Sequence, residues 1–177
     1  MKNLILFFLL VLPIMVLHAQ KQKEIELSNA EKFSEKSGSL IKKTFLDVGK
    51  IRGIEFQVIY FTDLLSESKT SALRIEKEIS KSYGTETKVA ILDADEIDGL
   101  MKSIKLIQNN ILQSKPENYT EVSYKSRSGF EAGCYSKAEG WDAFIKIEKY
   151  DRDSYVFLKN EDLGSIYSFL ELAKTKF

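Results

Sequence analysis

Histidine is missing from almost the whole chain: the single one among 177 residues is His18. Beyond that position the protein cannot pair a serine or cysteine nucleophile with histidine, nor bind a metal through imidazole. Cysteine is nearly as scarce, with Cys134 alone. One cysteine makes no intramolecular disulfide, so the fold must be held by its core. Within Ala132-Gly133-Cys134-Tyr135 it reads as a small buried apolar residue and not as a nucleophile. A surplus of charge is missing too, since 26 basic residues meet 26 acidic ones. Loss of residues 1–19 would remove Lys2 alone, leaving 25 against 26, a balance that argues against nucleic acid or an anionic membrane as partner.

Long apolar runs are absent except at the start, where Leu4 to Leu17 are apolar apart from Pro13. Met1-Lys2 before this run and His18-Ala19 after it, followed by polar Gln20-Lys21-Gln22-Lys23, form the pattern of a cleavable signal peptide over residues 1–19. A run of about 14 residues broken by proline falls short of the roughly 20 that span a bilayer. No cysteine lies near the cleavage site to carry a lipid. The expected product is a soluble periplasmic or extracellular protein with no stable membrane anchor, and not a lipoprotein. Its roughly 155 residues suffice for one domain.

Residues 20–39 read as a lead-in with a short helix at 29–36, capped by Ser28 with Glu31 three residues on. From Leu40 the pattern turns to strands at about 40–51, 54–63, 70–79 and 87–92, divided by Arg52-Gly53, Ser66-Glu67-Ser68 and Tyr83-Gly84. A helix follows, capped by Asp93, with Ile97, Leu100, Met101, Ile104, Ile107 and Ile111 at helical spacing up to Lys115-Pro116. The order then recurs: strands near 119–127, 130–136, 142–150 and 153–158, and a helix over 161–175 with Leu163, Ile166, Tyr167 and Leu170 on one face.

Short matches accompany the recurrence. Gly53-Ile54-Glu55 corresponds to Gly129-Phe130-Glu131, and Arg74-Ile75-Glu76-Lys77 to Lys146-Ile147-Glu148-Lys149. Leu92 before acids at 95 and 96 corresponds to Leu158 before acids at 161 and 162. The expected fold class is α+β: a single domain over 40–177 made of two ββββα repeats, about 40–115 and 117–177, with antiparallel sheets, helices packed on them and a pseudo-twofold axis. This order resembles the repeats of the Whirly and Pur-alpha families, whose sheets bind single-stranded nucleic acids. The resemblance covers most of residues 40–175 and is one of topology, so no family site residue is carried over.

Chemical motifs are few. Asp93-Ala94-Asp95-Glu96-Ile97-Asp98-Gly99 looks like a calcium loop, but Ile97 and Ile104 stand where ligands are required, and a capped helix start explains the acids. Asp95 and Asp98 share a helix face as ordinary solvent-facing acids would. Asn118-Tyr119-Thr120 matches the glycosylation acceptor pattern. Aromatics including Phe45, Tyr124, Tyr155 and Phe157 alternate with Lys42, Lys43, Arg74, Lys125, Arg127 and Lys146, a pattern a stacking platform would use but one that strand propensity and a large core explain better. Trp141, after Glu139-Gly140 at the start of a strand, is the one residue selected for an exposed binding ring. No catalytic, metal or cofactor residue is selected. The expected function is a non-enzymatic module binding a protein or polymer. Alternatives are a single-strand or polyanion binder, or an enzyme using carboxylates or a tyrosine.

Overall fold

Alternating apolar side chains and turn glycines organise the chain into two antiparallel sheets. The computed structural model describes residues 26–177, and the expected signal peptide over residues 1–19 lies outside the described residues. Helix α1 (Asn29–Ser34) opens the order. Strands β1 (Ile41–Ile51), β2 (Ile54–Asp63), β3 (Lys69–Lys81) and β4 (Gly84–Leu92) form the first sheet in chain order, followed by helix α2 (Ala94–Leu106). Strands β5 (Glu121–Lys125), β6 (Glu131–Lys137), β7 (Gly140–Lys146) and β8 (Tyr155–Leu158) form the second, also in chain order, followed by helix α3 (Asp162–Lys174). The fold is α+β. Gly53 and Gly129, each just before the second strand of its sheet, take φ of 75° and 91°, a left-handed conformation that costs a side chain its usual freedom.

Period-2 alternation puts one row of each strand into a common core. Phe56, Leu73 and Leu92 from the first sheet meet Phe130, Ile145 and Leu158 from the second, with α2 and α3 completing the cluster. Each helix crosses to the opposite sheet: α3 lies on β1 and β2, while α2 packs on β5 and β6 as well as on β3. Gly49 makes this approach possible, because a Cβ there would stand 2.4 Å from the Phe169 ring on α3. Ion pairs follow the same crossing. Arg52 Nε, in the β1–β2 turn, donates to Asp162 of α3 at 2.8 Å. In the β5–β6 turn, Arg127 donates to Asp93 at 2.8 Å and its backbone N–H donates to Glu96 at 2.7 Å, both at the start of α2.

The first helix forms as its capping box implies, with the Glu31 carboxylate accepting from Ser28 N–H at 2.8 Å and Ser28 Oγ accepting from Glu31 N–H at 3.2 Å. It packs closely, since Ala30 is fully buried over Ile59, Phe61, Ala72 and Ile91 on the outer face of the first sheet. Past Leu106 the expected single helix changes to a π-helical turn (Ile107–Ile111), in which Leu112 N–H donates to the Ile107 carbonyl at 2.9 Å. The wider turn keeps Ile107 buried and brings both Ile111 and Leu112 against the core. Among the described residues, no helix is long and apolar enough to cross a membrane.

Candidate functional site: an uncovered aromatic face

The two sheets differ in what lies on their outer faces. Helix α1 covers part of the first, whereas the second presents aromatic rings with no helix of the described residues over them. Register explains the grouping. Phe144 on β7 faces Gly133 on β6 and Phe157 on β8, Tyr135 faces Glu121 and Asp142, and Lys146 faces Tyr155. Phe144 is nearly buried at 5% exposure, while Tyr155 is 37% and Phe157 65% exposed. Gly133 permits the close strand approach, since a Cβ there would lie 2.2 Å from the Val122 carbonyl oxygen.

The rings form a corner. Tyr135 and Phe157 stand at 75° with centroids 6.3 Å apart, and Phe144 lies 6.4 Å from Tyr135 and 5.6 Å from Tyr155. Together with Tyr119, which is 72% exposed, and Glu121, they line a depression of about 260 Å³. Tyr119 Oη donates to Glu121, and that hydrogen bond raises the phenol above its ordinary value. Burial, followed by the Asp142 charge, raises Tyr135. Around the face, Glu131 pairs with Lys125 at 3.3 Å and Lys146 at 3.7 Å, and Asp142 with Lys137 at 2.6 Å. Among the described residues Glu121 has no such cationic partner.

No family model, curated protein or solved structure matches this chain. Its chemistry is therefore read from the residues themselves.

Trp141 is not the exposed ring anticipated from its place after a glycine. It is 7% exposed and belongs to the core, with its indole N–H donating to the Ser114 carbonyl at 2.9 Å. The reason is parity: Trp141, Ala143 and Ile145 point inward, and Asp142, Phe144 and Lys146 point outward. The outward aromatic was legible in β8, where Tyr155-Val156-Phe157-Leu158 is apolar at both parities on an edge strand that one core can cover on a single side.

The acidic segment is a junction. Asp93 accepts from Asn29 N–H at 2.7 Å and Ala30 N–H at 3.0 Å, so it serves α1 as well as beginning α2. Glu96 returns a bond to Asp93 N–H at 3.0 Å, and Asp95 accepts from Arg127 at 2.7 and 2.9 Å. Arg127 holds Asp95 below the ordinary carboxylate range. Among the described residues, no group of three or more side chains converges as metal ligands.

Cys134 lies buried on the inner row of β6, and burial pushes its thiol up to about 11. The basic residues that alternate with aromatics are dispersed: Lys43 lies over Phe61 and Arg74 over Phe45 on the first sheet, while Lys146 lies over Tyr155 on the second. Lys88, not singled out by its sequence context, is buried among Glu86, Glu148 and Asp151. Its amine is raised first by the bond to Asp151, then by Glu86, which marks a structural ion cluster joining β4 to the segment after β7.

Proposed function

We propose that this protein is an exported, non-enzymatic binding module that engages its partner through the outer face of the second sheet. The carrying observation is the outer aromatic face on which Tyr155 and Phe157 stand exposed beside half-buried Tyr135, over buried Phe144. Exposed rings clustered on one face are costly to leave in water and typical of a recognition surface. The sequence offers no nucleophile–base pair to set beside them.

The proposal includes duplication of one ββββα unit about a pseudo-twofold axis. Pairing Gly53 with Gly129 aligns Glu55 with Glu131 and Val58 with Cys134. Strand partners then carry the alignment to Leu73 and Ala143, and from there to Leu92 and Leu158. A match chosen from sequence at one end is thus met by another at the far end of the sheet. The same ladders set Arg74 beside Phe144, and Glu76 beside Lys146, which displaces the expected Arg74–Lys146 match by two residues. Buried Ile97, Leu100, Ile104 and Ile107 repeat as Leu163, Ile166, Leu170 and Ala173. The crossed Arg52–Asp162 and Arg127–Glu96 pairs support the axis. In this alignment Tyr135, Tyr155 and Phe157 correspond to Ile59, Val89 and Ile91, the residues beneath α1. Among the described residues nothing corresponding to α1 covers that face in the second unit.

Amide chemical-shift mapping with neutral oligosaccharides, basic peptides, organic cations and oligonucleotides tests the binding face. A ligand that binds should shift residues 121, 135, 144, 155 and 157 and remain chemically unchanged. Turnover of the ligand, or shifts centred elsewhere, would overturn the proposal. A polyanion reading, in line with the Whirly and Pur-alpha resemblance, is favoured by Lys42, Lys43 and Phe45 exposed on β1. It predicts instead a steep loss of affinity with salt and shifts on the first sheet.

A further inference from the structure

The chemistry of the second-sheet depression selects among ligands. Five aromatic residues line it, of which Tyr119, Tyr155 and Phe157 are exposed while Phe144 is buried beneath them, and Glu121 is the carboxylate among its lining residues. Ring faces carry negative quadrupole potential, so they and the carboxylate favour the same sign of charge in a ligand. Neighbouring acids are neutralised by lysines, as Glu131 is by Lys125 and Lys146 and Asp142 is by Lys137, whereas among the described residues Glu121 receives only the Tyr119 hydroxyl. That bond leaves the negative charge of Glu121 in place at the rim. Lys146 Nζ already lies over the Tyr155 ring, 5.2 Å from its centroid, which leaves the other exposed rings to a bound cation.

Size and shape narrow the class. About 260 Å³ is below the roughly 300–1,000 Å³ of pockets for drug-sized molecules, which suits a small group. The 75° corner of Tyr135 and Phe157 offers two walls to a tetrahedral group whose alkyl surface contacts rings on more than one side. A phosphate or carboxylate ligand would face the Glu121 charge, whereas a cation would be paired by it.

The geometry points to a site for a small soluble quaternary ammonium compound, its alkylated cation seated among Tyr119, Tyr135 and Phe157 with Glu121 as counter-charge. This assignment rests on the binding-face reading above and names its ligand class.

The test uses choline chloride as the probe, with 3,3-dimethylbutan-1-ol as its uncharged isostere and sodium chloride as the ionic control, titrated into the secreted protein and followed by amide shifts and calorimetry. Choline should shift residues 121, 135, 144, 155 and 157 saturably, and the isostere should bind at least about tenfold more weakly, because it keeps the shape and loses the charge. Glu121→Gln should weaken choline at least about threefold and Phe157→Ala about tenfold. Both residues are exposed, and an unchanged melting temperature verifies that these variants stay folded. Equal binding of the isostere, or an unaffected Glu121→Gln variant, overturns the assignment. So does sedimentation with phosphatidylcholine vesicles without a response to free choline, which would move the site to a lipid surface. A neutral oligosaccharide that shifts this face while choline does not overturns the cation yet leaves the binding face standing. Silence of the face toward choline and every other probe overturns both.

Discussion

Cys134 and Trp141 show how burial sets the behaviour of single residues. A thiol pushed up to about 11 by burial is protonated at pH 8, and its sulfur is closed off by the core. Folded protein should therefore resist a thiol-specific disulfide reagent at pH 8 and react fully once denatured. Rapid labelling of the native state, read by absorbance of the released thiolate, would show that β6 opens. Trp141 teaches the complementary point. A local cue, a ring just after a glycine, suggested exposure, but the inward row shared with Ala143 and Ile145 decided the matter. That row was legible in the alternation of the strand. Phe144 and Phe157 belong to the opposite row, and their grouping with Tyr135 depends on register between three strands, which no local window contains.

At the scale of elements, the crossed helices make two sets of interactions indispensable. Leu100 on α2 and Ile166 on α3 are both buried. Leu100→Asp or Ile166→Asp should each destabilise the domain by about 4 kcal/mol, through an unpaired charge in the seam, as measured by chemical denaturation. Loss of only a few tenths would mean that the helix is peripheral. Arg127→Met should cost about 2 kcal/mol, because it strands the carboxylates of Asp93 and Glu96, with partial exposure of the arginine keeping the figure under that of a fully buried pair. Acid should act on the same joints. Arg127 lowers Asp95, Lys88 lowers Asp151, and at Asp162 the burial that would raise the group is outweighed by Arg52 and the Lys159 N–H. A carboxylate whose folded pKa lies beneath its unfolded value contributes stability in full above the unfolded value and loses it as pH falls through the folded one. No histidine lies beyond position 18, so no side chain of ordinary pKa titrates between pH 5 and 8. The melting temperature should thus be level over that range and fall below about pH 4, the ordinary carboxylate region. A marked slope near pH 6.5 in calorimetric scans would contradict this account.

For the whole molecule, the first prediction concerns export: protein recovered from its native compartment should begin within about two residues of Gln20, and intact mass retaining residues 1–19 would overturn it. The sequence by itself determined the kinds and order of elements, because period-2 and period-3.6 patterns, turn glycines and capping residues are local properties that each segment carries alone. Strands 41–51 and 54–63 and all three helices stand within about two residues of the expected bounds, apart from the π-helical turn that replaces the final stretch of the second helix. Even the absence of usable histidine was a global fact readable without a fold. Only the tertiary structure decided that α2 and α3 cross to opposite sheets, that Asp93 ties α1 to α2, and that α1 covers part of one sheet while Tyr155 and Phe157 stand exposed on the other. Those outcomes depend on contacts between residues far apart in the chain, such as Arg127 with Asp93 and Gly49 with Phe169. Their energies come from burying faces against one another, and a face acquires its partner only when the chain has closed on itself.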